Sequence, residues 1–306
     1  MRTINDLDKL ITREEISKPG HPLCAGCPGG IALRWITKVL GKNTLISTGS
    51  TCIVLPLQAY PNSVQVPSFY ICMASTAPGM TGMRAALNVL QRKGVIPADK
   101  KINVVGLAGD GSTADIGMAA LSGAAERNDD GIYFTFDNEA YMNTGVQRSS
   151  STPQFTRTTT TLTGKTERKK DLAKVMIAHD IPYVATVSLG YPEDFIQKVT
   201  RARDMGPGFK YIHMHSPCPV GWRFAESNTV HVARLAVETG FHILYEVVDG
   251  KFRITQQPEK RKPVEAFLKD QARFDGITDE ELKGIQDWVD GRWEDIETSS
   301  FCLTAA

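Results

Sequence analysis

The sequence predicts an α/β fold, a parallel sheet flanked by helices, followed by a C-terminal helical extension. Three observations carry this reading. Short apolar runs alternate with Gly-rich turns and helical patterns through the centre of the chain. One strand, helix, strand unit is complete within about 35 residues, the length of a right-handed crossover. After residue 250 the alternation stops and a charged connector leads into helical segments. The expected division is therefore 1–250 and 251–306.

Taken in order, a Cys-, Gly- and Pro-rich loop over His21 to Gly30 precedes a helix over Arg34 to Leu40 and a strand over Leu45 to Ser47. Ser68 to Met73 reads as a buried strand, with Cys72 assigned to packing. A helix follows over Gly79 to Lys93. Lys101 to Ala108 is an apolar strand ending at Gly109-Asp110-Gly111, and Ile116 to Glu126 is a helix whose small residues permit close packing on the sheet. Gly131 to Phe136 is the next strand, ending at Asp137-Asn138-Glu139. Ser149 to Gly164 is too polar and β-branched for a helix, and a loop of that length inside a compact domain is expected to be functional rather than a solvated insertion. Lys170 to His179 reads as a helix and Lys210 to Met214 as a late strand. Beyond the connector Gln256 to Pro263 come helices over Val264 to Phe274 and Asp279 to Val289, the second opened by Thr278 as N-cap. This tail shows no catalytic constellation, and Trp288 and Trp293 are expected to dock it on the core or on another subunit.

With 306 residues, 42% hydrophobic and 23% charged, the chain is long and apolar enough for a sizeable buried core. Its 35 Lys and Arg against 34 Asp and Glu leave a formal charge of +1, which favours neither a nucleic-acid nor a membrane-surface partner. No window approaches the roughly 18 to 20 apolar residues of a membrane span, and the start lacks a basic region followed by an apolar stretch. A soluble protein of the cytoplasm is expected. The tail after Cys302 is one residue too long for a prenylation box.

Six cysteines are too few for a disulfide scaffold, and reduced thiols are the expectation. Cys24 and Cys27 form a C-x-x-C in a loop where Gly and Pro let the backbone curl. Cys52 follows Gly49-Ser50-Thr51, and Cys218 lies between Pro217 and Pro219. Four thiols in turn-like settings suit an iron-sulfur cube or a structural zinc; a lone C-x-x-C is equally a redox pair or two buried thiols. Cys302 reads as a free surface thiol near the terminus. His213 and His215 share a strand face and read as packing or partner-contact groups before ligands.

Gly109-Asp110-Gly111 ends a strand and opens a helix, the place where α/β sheets bind charged ligands. Glycines allow close backbone approach to a diphosphate and the helix start supplies N–H donors. An acid there makes sense if a hard divalent cation lies between Asp110 and the diphosphate. The second strand ends at Asn138, with 26 residues between Gly111 and that amide. Its amide oxygen is a further hard ligand, and the Ala140 carbonyl is a candidate third.

These residues resemble a known family. Gly109-Asp110-Gly111 with Asn138 is similar to the thiamine diphosphate and magnesium motif of thiamine-dependent enzymes. Four further strings resemble the thiamine-binding beta subunit of 2-oxoacid:ferredoxin oxidoreductases, the pyruvate type above all, with oxalate oxidoreductase a near relative. They are Asp137 to Ser149, Cys24 to Cys27, Pro217-Cys218-Pro219 with Gly221 to Phe224, and Ala233 to Gly240. The resemblance spans about residues 20 to 250 and implies a thiamine-diphosphate-binding fold.

It further implies that Asp110, Asn138 and the Ala140 carbonyl hold Mg2+, that Asn143 faces the thiazolium as the catalytic residue, and that Gly109 and Gly111 cradle the cofactor. Cys24, Cys27, Cys52 and Cys218 would bind one 4Fe-4S cluster. Residues 1–250 would then be the thiamine diphosphate and iron-sulfur domain. The implied activity is oxidative decarboxylation of a 2-oxoacid with coenzyme A acylation and electron transfer to ferredoxin. Alternatives are oxalate cleavage to two CO2 without coenzyme A and a non-oxidative thiamine-dependent decarboxylase. The implied partners are alpha, gamma and ferredoxin-like delta subunits, separate or fused, one of which supplies the carboxylate that activates the cofactor. Pro28-Gly29-Gly30, Thr48 to Pro56 and Ser75 to Gly79 depart from the pyruvate-type pattern and leave the oxoacid open.

Overall fold

The computed structural model describes residues 9–297. Cys302 lies outside them.

One eight-stranded sheet runs through the molecule in the order β2-β1-β3-β4-β6-β5-β7-β8. Its strands are β1 (Thr44–Thr48), β2 (Ser68–Tyr70), β3 (Asn103–Gly109), β4 (Gly131–Asp137), β5 (Tyr183–Ser188), β6 (Phe209–His215), β7 (Leu244–Val248) and β8 (Lys251–Gln256). The first six pair in parallel, and β7 and β8 add an antiparallel hairpin at one end. Parallel strands covered on both faces need apolar residues on both, which is why β3 and β4 read as continuous apolar runs. In β3, Val104 and Ala108 point into one core layer and Val105 and Leu107 into the other.

The helices are α1 (Pro28–Leu40), α2 (Val54–Gln58), α3 (Thr76–Arg92), α4 (Met118–Glu126), α5 (Leu172–Ile177), α6 (Pro192–Asp204), α7 (Pro219–Trp222), α8 (Thr229–Glu238), α9 (Glu265–Leu268) and α10 (Asp279–Glu297). One core layer packs α1 and α6 on the sheet through Leu33, Ile36, Val199 and Ala202. The other packs α3, α4, α5 and α8 through Met80, Leu121, Met176 and Leu235, and continues into the C-terminal extension through Phe267, Val289 and Trp293. The extension thus docks on the chain's own core, with Trp293 Nε1 donating to the Gly240 carbonyl at 3.2 Å. Among the described residues no helix is long and apolar enough to cross a membrane.

Four sequence expectations change. Ser68 to Met73 is not a buried strand: only Ser68–Tyr70 pairs, at the sheet edge, with Phe69 and Tyr70 half-exposed and Cys72 exposed beside Ser75 Oγ, 2.9 Å away. An edge strand has no outer neighbour to cover it, and an apolar run does not reveal that. Helix α1 begins at Pro28, six residues earlier than expected, because proline suits the first helical position. Strand β5 and helix α6 complete a crossover that periodicity did not mark. Residue 250 falls in the turn of the β7–β8 hairpin, where Asp249 and Gly250 both have positive φ, 46° and 77°, so the sheet runs on to Gln256.

Strands β2 and β3 lie on opposite sides of β1. The chain therefore reverses its winding at β1, and the carboxyl ends of β1 and β3 border the crevice where open parallel sheets take ligands.

Candidate cofactor site

At that crevice a cavity of about 80 Å³ lies between three turns. Ser50, Thr51 and Cys52 follow β1; Gly109, Asp110, Gly111 and Ser112 follow β3; Asn138 and Ala140 to Thr144 follow β4. All the residues expected to bind the thiamine cofactor, Asn143 included, line this one space. Among the described residues that line it, Asp110 is the only carboxylate.

Asp110 and Gly111 open a π-helical turn over Ser112–Ile116 that leads into α4. The demand for glycine at 111 is internal to the protein: a Cβ there would come within 2.3 Å of the Tyr141 ring, whose hydroxyl donates to Asp115 Oδ2 at 3.0 Å. At Gly109 a Cβ would meet only Thr51, at 3.6 Å. Asp110 is buried and accepts a hydrogen bond from Ser149 Oγ. Burial, then the charge of Asp137, pushes its carboxyl well above the usual range.

The Asn138 side-chain oxygen stands 2.9 Å from Asp110 Oδ1 and 2.8 Å from the Ala140 carbonyl oxygen, three acceptors facing one another. Two arrangements relieve that repulsion. Turned over, the carboxamide donates to both oxygens; otherwise a cation sits among all three. Oxygens bound at about 2.0–2.1 Å on adjacent octahedral corners lie about 2.9 Å apart, so the spacing and the all-oxygen set fit Mg2+.

Glu139, between the two, has φ 66°, and its N–H bonds to Asp137 Oδ1 at 3.1 Å. This left-handed residue turns the chain so that Asn138 and the Ala140 carbonyl face the same way. Asp137 and Glu139 point into the protein, where Lys169 Nζ lies 2.9 Å from Asp137 Oδ2 and 2.7 Å from Glu139 Oε1. Arg273 NH2 is 2.7 Å from Glu139 Oε2. Asp137 also meets His213 Nε2 at 3.0 Å, and His215 Nε2 lies 3.4 Å from Glu139 Oε1. Burial alone would raise Glu139, but the charges of Lys169 and Arg273 outweigh it and hold the carboxyl well below the usual range. The two strand histidines are therefore buried partners of these carboxylates.

The Ser149 to Gly164 loop belongs to the site. Ser149, Ser151, Thr152 and Thr156 are buried, and Thr152 Oγ1 donates to the Glu139 carbonyl at 2.6 Å. Lys165 Nζ donates to the Thr152 carbonyl at 2.6 Å and fastens the loop from behind.

The four loop thiols come together beside the cavity. Cys27 caps α1, Cys218 caps α7, and Cys52 follows the cavity-lining Thr51. Gly26 lies against Glu226, where a Cβ would come within 2.3 Å of the carbonyl oxygen, and Thr229 Oγ1 donates to the Gly26 carbonyl at 2.7 Å. A Cβ at Gly29 would strike Ile53 at 2.5 Å, so the C-x-x-C loop packs directly on the Cys52 turn. A Cβ at Gly221 would strike Met142 Sδ at 2.1 Å, which seats the Cys218 turn on the loop after β4.

Burial, with the opposing charges of the other thiols, pushes Cys27 up to about 11 and Cys52 up to about 12, and raises Cys218. Cys27 is raised by the charges of Cys218 and Cys24, Cys52 by those of Cys27, Cys218 and Cys24, and Cys218 by that of Cys24, so the four thiols lie within electrostatic reach of one another. Among the described residues no group of three or more His, Cys, Asp or Glu is drawn tightly enough to cage a single metal ion. A cube places each thiolate on its own iron and asks for a wider quartet than the tetrahedron around one zinc.

Residues 47–214 match the family described as thiamine pyrophosphate enzyme, C-terminal TPP binding domain. The chain is 47% identical over 284 residues to pyruvate synthase subunit PorB of Methanocaldococcus jannaschii, covering 91% of this chain and 95% of that protein. Over 292 residues it is 41% identical to ketoisovalerate oxidoreductase subunit VorB of Pyrococcus horikoshii, covering 93% of each. A solved 2-oxoglutarate:ferredoxin oxidoreductase from Magnetococcus marinus has the same fold, with a TM-score of 0.55 at 18% identity over 74% of this chain and 80% of that one.

Proposed function

The chain belongs to the thiamine pyrophosphate enzymes, among the beta subunits of 2-oxoacid:ferredoxin oxidoreductases, and from that premise we propose that it carries out coenzyme A-dependent oxidative decarboxylation of pyruvate, with a magnesium-bound cofactor and a 4Fe-4S cluster in one polypeptide. What carries the reading is the convergence on one cavity of Gly109, Asp110, Gly111, Asn138, Ala140 and Asn143 with Cys52, a member of the thiol quartet.

Thiamine diphosphate, when bound, supplies a thiazolium that accepts the charge left by decarboxylation. Asp110, Asn138 and the Ala140 carbonyl would hold Mg2+. Binding a divalent cation there would displace the proton of the raised Asp110 carboxyl into solvent, while Ser149 keeps the other carboxylate oxygen oriented. Asn143 would be the residue nearest the reactive end of the cofactor. Cys24, Cys27, Cys52 and Cys218 would hold the cluster as thiolates, a state that iron would favour against the burial that raises Cys27, Cys52 and Cys218. A cluster held there would supply one-electron acceptance between the active site and ferredoxin.

With Asp110 committed to the metal, the carboxylate that activates the cofactor comes from another subunit, and the working enzyme is a complex with alpha, gamma and ferredoxin-like delta partners, separate or fused. Residues 1–250 carry both cofactors, the chain beyond the last strand of the sheet forms the extension, and the complex works in the cytoplasm. The test is a substrate panel on the anaerobic complex, following reduction of a low-potential carrier. Turnover of pyruvate that requires coenzyme A supports the reading. Oxalate turnover without coenzyme A, or preference for 2-ketoisovalerate, reassigns the substrate; thiamine without iron removes the oxidoreductase. Cys218→Ser should remove about four iron and four sulfide per chain and leave thiamine binding intact.

A further inference from the structure

One cation in the C-terminal extension reaches both halves of the site. Arg273 lies in the short turn Ala272–Phe274 and is 2% exposed. Its NH2 is 2.7 Å from Glu139 Oε2, and its guanidinium lies 3.6 Å from the centroid of the Trp222 ring. Nε donates to Gln271 Oε1 at 2.9 Å, which fixes the plane of the fork. Among the described residues NH1 and NH2 have no aligned hydrogen bond, so the pairing with Glu139 is ionic contact backed by stacking.

Each contact bears on a different set of ligands. Glu139 separates Asn138 from Ala140 and holds the left-handed bend that aims both at Asp110. Trp222 donates Nε1–H to the Asn138 carbonyl at 2.9 Å, and its own N–H bonds to the Cys218 carbonyl at 2.9 Å. The Arg273 carbonyl accepts from Arg157 N at 3.0 Å, which ties in the loop whose Ser149 donates to Asp110. A buried ion pair gives up hydration that an apolar pair of equal volume would not lose, so stability alone is a weak reason to place an arginine here. Its planar, rigid fork both pairs and stacks, which an ammonium does not do.

We propose that Arg273 is a positioning residue: one guanidinium locks the Asn138–Ala140 turn through Glu139 and the Cys218–Trp222 turn through the indole, setting the metal ligands against the thiol quartet. The inference rests on the function proposed above. The Arg273 charge lies on the indole of Trp222, whose backbone N–H bonds the Cys218 carbonyl at 2.9 Å, and so favours the electron-rich state of a cluster held there.

Arg273→Lys and Arg273→Met in the anaerobic complex test this, with thiamine diphosphate and Mg2+ titrated back into stripped protein and the cluster potential followed by electron paramagnetic resonance. Both variants should weaken cofactor binding about 10–100-fold with iron content unchanged. Met should lower the cluster potential, whereas Lys, which keeps the charge, should leave it near the wild-type value. A residue that merely supports the fold would not separate the two readouts. Wild-type cofactor affinity in an iron-replete Arg273→Met complex would overturn the proposal. If Met fails to assemble, wild-type affinity in Arg273→Lys overturns it equally. Asp110→Asn, run alongside, separates the premises: if it keeps the cofactor, the metal reading falls and takes this inference with it. If it loses the cofactor while the Arg273 variants bind normally, this inference alone falls.

Discussion

Strands β3 and β4 lie side by side, and each ends in a turn with a fully buried carboxylate, Asp110 in one and Glu139 in the other. Glu139 is matched from within: Lys169 and Arg273 both reach it, and it stays ionised despite burial. Asp110 has a serine hydroxyl and the more distant charge of Lys169, and burial and the charge of Asp137 win. Two acids a strand apart are thus prepared for opposite roles. One turn closes its own charge balance and becomes a rigid scaffold. The other leaves its acid without a cation at contact distance, 2.9 Å from the Asn138 side-chain oxygen, which in turn stands 2.8 Å from the Ala140 carbonyl.

The largest effect expected from breaking this contrast is at the scaffold. Glu139→Gln leaves Lys169 with Asp137 alone and Arg273 without its carboxylate, and losing one partner of a buried pair costs about 3–5 kcal/mol. Chemical denaturation should show that loss, together with weakened cofactor binding; a stability within about 1 kcal/mol of wild type would mean that the pair is not what holds the turn. Asp110→Asn comes next and should behave in the opposite sense. A neutral amide of the same shape replaces an acid whose protonated form burial favours, so the cofactor-free fold should be unharmed. Thiamine diphosphate and Mg2+ affinity should fall beyond the roughly 10–100-fold that outer-shell changes cost, with the cluster spectrum unchanged. Retention of normal thiamine content would count against Asp110 as ligand.

The pH dependence of stability sharpens the comparison further. Glu139 and Asp137 have lowered folded values, so their contribution is present above the unfolded values near 4 and is lost as pH falls through the folded ones. Asp110 is raised, so in the cofactor-free protein its contribution is full below about 4 and is lost as pH rises through the folded value. Denaturant midpoints of cofactor-free protein from acid to neutral pH should therefore fall for wild type relative to Asp110→Asn as pH rises. Parallel curves would contradict the assignment. The smallest effect is expected at Cys72→Ser: this exposed thiol lies outside the quartet, and iron content should not change.

Much of this contrast was legible in the residues. A strand buried on both faces must be apolar throughout, so β3 and β4 and the Gly-Asp-Gly and Asn at their ends stood out. Asp137 and Glu139 flanking Asn138, with His213 and His215 alternating on the neighbouring strand, carried a signal for the scaffold, since Asp137 is in register with His215. Arg273 gave none, because a buried arginine acquires meaning only from a carboxylate far away in sequence. The Asp249-Gly250 pair was a hairpin signal of the strongest kind, in the place where a domain limit was expected. Apolar content placed Phe69 and Tyr70 in a strand but could not say that the strand lies at an edge.

The central claim is that a metal-held thiamine cofactor and an iron-sulfur cluster share this polypeptide across one loop contact. Diffraction from anaerobically grown crystals of the complex, with an anomalous difference map collected at the iron edge, tests it most directly. The account predicts a four-iron peak amid Cys24, Cys27, Cys52 and Cys218, and an ion on Asp110, Asn138 and the Ala140 carbonyl in the accompanying density. A zinc signal in place of iron, or cofactor density with no ion beside Asp110, would contradict it.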